Sequence, residues 1–81
     1  MEMKVRVKLY GTFGRRFPQA RATAGMEMEI PSGASAQDLL ARLEIREDQG
    51  GVVILNNRIL RMADEIPPGA EVGIFQSLYG G

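Results

Sequence analysis

The chain has 81 residues, ten basic and ten acidic side chains that cancel, and neither cysteine nor histidine. That excludes a disulfide framework, a thiolate nucleophile, histidine acid–base chemistry and the usual ligands of zinc and most transition metals. Balanced charge argues against a dedicated nucleic-acid or membrane-surface binder, and no apolar run approaches the roughly 20 residues that span a bilayer.

Residues 3–10, MKVRVKLY, place Met3, Val5, Val7 and Leu9 on one face and Lys4, Arg6, Lys8 and Tyr10 on the other. A period of two marks a half-buried strand. Gly11 and Gly14 interrupt it as turn formers with no helix start behind them. The polar stretch to Gly25 reads as a long irregular loop, tethered by Phe13, Phe17 and Pro18. Residues 26–30 alternate again, Met26, Met28 and Ile30 against Glu27 and Glu29, whose carboxylates suit an antiparallel basic neighbour. After Pro31-Ser32-Gly33, Ser35 and Asp38 have the spacing of a helix start. Ala36, Leu39, Leu40 and Leu43 supply the apolar stripe of a short helix ending near Glu44 or Arg46. A polar break at 46–51 leads to a hairpin of 52–56 with 58–61, turned by Asn56-Asn57. Residues 63–70 form a loop or single helical turn. Residues 71–78, EVGIFQSL, form a last strand with Val72 and Ile74 inward and Phe75 outward.

This order predicts one α+β domain over residues 1–81, a mixed sheet of about five strands with one main helix on one face. The helical crossover is long enough to set the third strand parallel to a neighbour. The first and last strands can then pair at the centre, as in a β-grasp. One helix covers one face, so the VVIL run, Phe75 and Tyr10 leave apolar surface on the other, which suits a partner. The chain closes LYGG. Two glycines make a thin, conformationally permissive end, expected to act as a flexible tail that presents the Gly81 carboxylate inside another protein's site. Asp38 reads as a helix cap, and Asp64 and Glu65 as loop solubility. No catalytic residue and no metal site is expected, and a cytoplasmic location is.

The segments VRVKLYG, PSGASAQDLLARL, VVILNNRIL and PPGAEV, with the closing Gly80-Gly81, resemble the MoaD/ThiS family of ubiquitin-like sulfur carriers in order and over essentially the whole chain. That family comprises the small subunit of molybdopterin synthase and the thiamine-pathway carrier. The resemblance implies that an E1-like activating enzyme adenylates Gly81 with ATP. Sulfur delivered by a sulfurtransferase then displaces AMP and leaves a terminal thiocarboxylate. The tail would donate this sulfur within the molybdopterin synthase large subunit, or to a thiazole synthase. The same resemblance implies a carrier with no bound cofactor and no catalysis of its own. Gly81 is then the attachment point, Gly80, Tyr79 and Leu78 the tail, and Phe75 part of the partner surface. Molybdopterin-type carriers often have a Pro-Pro pair a few residues before the diglycine, where this chain has Gln76-Ser77. The long 11–25 segment resembles the molybdopterin branch, so the pathway stays open. Two rivals stay open as well. One is a ubiquitin-like modifier that passes Gly81 to a lysine. The other is a passive β-grasp module that binds RNA through Lys4, Arg6, Lys8, Arg15 and Arg16.

Overall fold

The computed structural model describes residues 1–16 and 25–77, with the backbone alone at Arg16 and Glu47. Strand β1, Glu2–Leu9, alternates as its sequence requires, with Met3, Val5, Val7 and Leu9 buried and Glu2, Lys4 and Arg6 exposed. Strand β2, Met26–Pro31, runs antiparallel to it and sets Glu29 opposite Lys4 and Glu27 opposite Arg6. After the helical segment come β3, Gly51–Leu55, β4, Arg58–Ile59, and β5, Glu71–Gln76. The sheet has five strands in the order β2-β1-β5-β3-β4. The last strand is therefore central, and the first lies beside it in parallel, with Val7 next to Val72 and Leu9 next to Ile74.

The expected parallel neighbour for β3 is not found, because β3 is antiparallel to both β5 and β4. The crossover from β2 passes over β1 and β5 before the chain re-enters the sheet. The two strands it joins share a direction without touching, and the parallel pair forms instead between β1 and β5. That arrangement puts Val5, Val7, Leu9, Val72 and Ile74 under the helix, where each is at most 2% exposed.

Helix α2 spans Ala36–Arg42 and opens on a capping box. Ser35 Oγ accepts from the Asp38 amide at 3.2 Å, and Asp38 Oδ2 accepts from the Ser35 amide at 2.9 Å. The loop after β4 completes the N-terminus, since the carbonyls of Asp64 and Met62 accept from the amides of Ala36 and Gln37. The helix ends earlier than expected. Glu44 takes the left-handed conformation at φ 60°, its amide bonds the Ala41 carbonyl, and the Ile45 amide bonds the Leu40 carbonyl. These are the paired bonds of a Schellman motif. They turn Ile45 into the core, and a 3₁₀ turn, Glu47–Gln49, follows.

Two further expectations need correction. The stretch after Gly11 is not wholly irregular, since a five-residue helix, α1, spans Thr12–Arg16 and buries Phe13. A helix start does therefore follow Gly11, whose φ of 62° makes the turn; Phe17 and Pro18 lie outside the described residues. The hairpin stands as read, with Asn56 and Asn57 both at positive φ between Leu55 and Arg58. Its second strand spans only Arg58–Ile59, although the Leu60 amide still donates to the Val53 carbonyl at 2.8 Å while its side chain enters the core. The 63–70 segment is a loop whose Ile66 is buried and whose Ile66 amide bonds the Ala34 carbonyl.

Candidate functional site

Strand alternation that sends valines and isoleucines under α2 sends a second set of side chains to the uncovered face. Register then decides which of them meet. Phe75 lies opposite Val52, Gly73 opposite Ile54, and Ile54 opposite Ile59. Tyr10, just beyond β1, is held alongside by its amide, which donates to the Ile74 carbonyl at 3.1 Å. The rings of Tyr10 and Phe75 stack with centroids 4.2 Å apart and planes 9° from parallel. Ile59 is 67% exposed and Phe75 36%. The result is an apolar half-face of Tyr10, Phe75, Val52, Ile54 and Ile59, with an aromatic plate as its flattest part.

Gly73 is what allows that plate to lie close to the sheet. A Cβ there would meet Tyr10 Cε2 at 3.1 Å and Phe75 Cε2 at 3.4 Å. Its role is missed when the last strand is read alone, because it depends on the register with β1, more than sixty residues earlier.

The other half of the face is charged with both signs. Lys8 Nζ lies 3.3 Å from Glu71 Oε2, Lys4 faces Glu29, and Arg6 sits between Glu27 and Glu71 in the register. The basic row that could have tracked a phosphate backbone is thus interleaved with carboxylates. Arg15 is exposed on α1, Thr12–Arg16, and the Arg16 side chain lies outside the described residues. Among the described residues, the β1 row therefore presents no run of basic side chains unbroken by carboxylates.

Two further carboxylates hold backbone. Asp38 caps α2 as expected, and Asp64 does more than aid solubility, since its Oδ2 accepts from the Arg61 amide at 2.8 Å. Among the described residues no group of three or more His, Cys, Asp or Glu could hold a metal ion, and no helix is long and apolar enough to cross a membrane.

Phe75 is thus placed on an exposed apolar surface, as its position in the strand suggests. Leu78, Tyr79, Gly80 and Gly81 lie outside the described residues. The structure does give the point from which they depart. The Ser77 amide donates to the Gly50 carbonyl at 2.8 Å, two residues beyond Phe75 and at the end of the apolar half-face.

With this geometry in view, the chain can be compared with known proteins. The ThiS family model matches residues 15–81. No curated protein sequence matches significantly. Among solved structures, small archaeal modifier protein 1 of Haloferax volcanii superposes with a TM-score of 0.69 at 14% identity, covering 94% of this chain and 99% of that one. A Pyrococcus furiosus protein assigned as molybdopterin converting factor subunit 1 superposes with a TM-score of 0.64 at 26% identity, covering 94% and 99%. The ubiquitin of Caldiarchaeum subterraneum gives 0.62 at 14% identity over the full length of both chains. The fold is the ubiquitin-like β-grasp.

Proposed function

The chain belongs to the ThiS family, and on that premise we propose that it is a sulfur carrier whose reactive group is the carboxylate of Gly81. An E1-like enzyme docks the apolar half-face around Phe75 and receives residues 78–81 in its active site. There the Gly81 carboxylate attacks the α-phosphorus of ATP, releasing pyrophosphate and forming an acyl adenylate. The terminal sulfur of a sulfurtransferase persulfide then attacks the acyl carbon, the C–O bond to AMP breaks and AMP leaves, and a thiol reductant cleaves the resulting acyl disulfide to free the Gly81 thiocarboxylate. The protein is the co-substrate of these steps and supplies no catalytic side chain.

The observation that carries this reading is the family match, which runs through Gly80-Gly81. Three features support it. The tail departs from the edge of an exposed apolar surface, where a partner could hold the body while drawing in the end. Four extended residues reach at most about 14 Å beyond Ser77, enough to enter a narrow channel, and the two terminal glycines add no side-chain width. With no cysteine in the sequence, a persulfide on this chain is impossible. The 26% identity to the Pyrococcus furiosus protein favours delivery to a molybdopterin precursor in the large subunit of a synthase. Delivery to a thiazole synthase is the second reading, favoured by Gln76-Ser77 where molybdopterin-type carriers often have Pro-Pro. We place activation, loading and delivery in the cytoplasm.

The test is ATP–pyrophosphate exchange with E1-like enzymes of both branches, comparing the full chain, one lacking Gly81, and F75A. Exchange should need Gly81, and F75A should require more protein for half-maximal rate. Exchange that survives loss of Gly81, or is absent with every enzyme, contradicts the proposal.

A further inference from the structure

Gln76 ends β5, and its side-chain amide lies between two elements far apart in sequence. Thr12 Oγ1 is 2.6 Å from its Oε1, and its Nε2 is 3.2 Å from the Gln49 carbonyl oxygen. A carbonyl can only accept, so the NH₂ group must face Gln49. The amide oxygen then faces Thr12, whose hydroxyl must donate.

Both anchors are themselves held. Thr12 opens α1, which is pinned by the buried ring of Phe13. Gln49 closes the 3₁₀ turn in a reciprocal pair with Arg46. The Gln49 amide donates to the Arg46 carbonyl at 3.0 Å, and the Arg46 amide donates to Gln49 Oε1 at 2.7 Å. One residue beyond Gln76, the Ser77 amide donates to the Gly50 carbonyl. The chain is thus fastened by α1 on one side and by the 46–50 turn on the other, at the place where it leaves the sheet. Gln76 and Thr12 are both exposed, so the core does not depend on these bonds.

We propose that Thr12, Gln76 and Gln49 form a latch that positions the base of the tail, holding Gln76 and Ser77 in place at the end of β5. The inference rests on the carrier reading and adds to it a positioning residue, Gln76, which touches no reacting atom. A tail whose base is loose must be ordered after docking, and that entropy then enters the barrier to adenylation. With its base already fixed, the free protein has met this cost before the partner arrives. A proline at 77 would restrict φ by its ring but would delete the Ser77–Gly50 hydrogen bond. The amide latch reaches the same end while keeping that bond.

The substitutions Thr12→Val and Gln76→Glu test it, with Thr12→Ser as the conservative control. Valine keeps the shape of threonine without its hydroxyl. Glutamate keeps the shape of glutamine but turns an oxygen toward the Gln49 carbonyl. With a saturating activating enzyme assay in place, T12V and Q76E should lose roughly five- to tenfold in kcat for adenylation. Their KM for the carrier should stay unchanged, because docking uses the apolar half-face, and T12S should behave as the unsubstituted protein. In the isolated protein, Ser77 amide exchange should quicken in T12V and Q76E and not in T12S. Unchanged kcat in both variants, or exchange that quickens equally across the whole sheet, overturns the latch. If the unsubstituted chain is not adenylated at all, the carrier reading fails by itself. Ser77 exchange then still decides the latch, and an unaltered rate in T12V and Q76E overturns it.

Discussion

Replacing Gly73 by alanine asks whether the aromatic plate depends on the missing side chain beneath it. The new Cβ would sit 3.1 Å from Tyr10 Cε2, inside the ordinary carbon–carbon contact of about 3.5–4.0 Å. One ring must therefore lift by a few tenths of an ångström, which opens the stack. Two stability effects oppose each other. Alanine recovers about 0.5–1 kcal/mol of backbone entropy relative to glycine within a strand. Opening the stack forfeits about 0.5–1.5 kcal/mol. The net change should fall within about 1 kcal/mol, so Tm alone decides nothing. The informative quantity is the coupling between the rings, measured by urea unfolding of Y10A, F75A and the double variant, with and without G73A. Without G73A the coupling should be about 0.5–1.5 kcal/mol, and with it no more than about 0.3 kcal/mol. Equal coupling in the two backgrounds would refute the reasoning.

Two further substitutions address the fold. S35A removes the acceptor for the Asp38 amide and half of the capping box; it should cost about 1 kcal/mol and lower Tm by roughly 4–8 °C for a domain of this size. I66A truncates a buried side chain in a loop; it should cost about 2–5 kcal/mol, readable as a lower urea midpoint at unchanged slope, whereas truncating a solvent-exposed loop residue would change the unfolding free energy by no more than about 0.5 kcal/mol.

The strands were legible because alternation is a local signal. MKVRVKL and EVGIF each declare which face is buried, and Asn56-Asn57 declares a turn that needs two positive φ values. The start of α2 was legible for the same reason, since Ser35 and Asp38 are three residues apart. Its end was not. A glycine usually marks a left-handed C′ position, and here the residue is Glu44. Helix α1 is too short to show a helical period, and Ile66 is buried from a segment with no period at all. Strand order was legible only in part, because a β5 wedged between β1 and β3 is a long-range choice made by the whole core. The candidate site divides along the same line. Phe75 was placed outward by alternation. Gly73 and the Gln76 latch required knowing which distant residues the register brings beside them.

The central claim concerns one chemical group, the carboxyl end at Gly81. It is tested most directly by mass spectrometry of the protein after incubation with ATP, its activating enzyme and a sulfur donor. The account predicts a C-terminal peptide in which sulfur has replaced one oxygen of Gly81, with no such change when ATP is omitted. A Gly81 that stays an ordinary carboxylate under these conditions, or is recovered only in an isopeptide bond to a lysine, would contradict it.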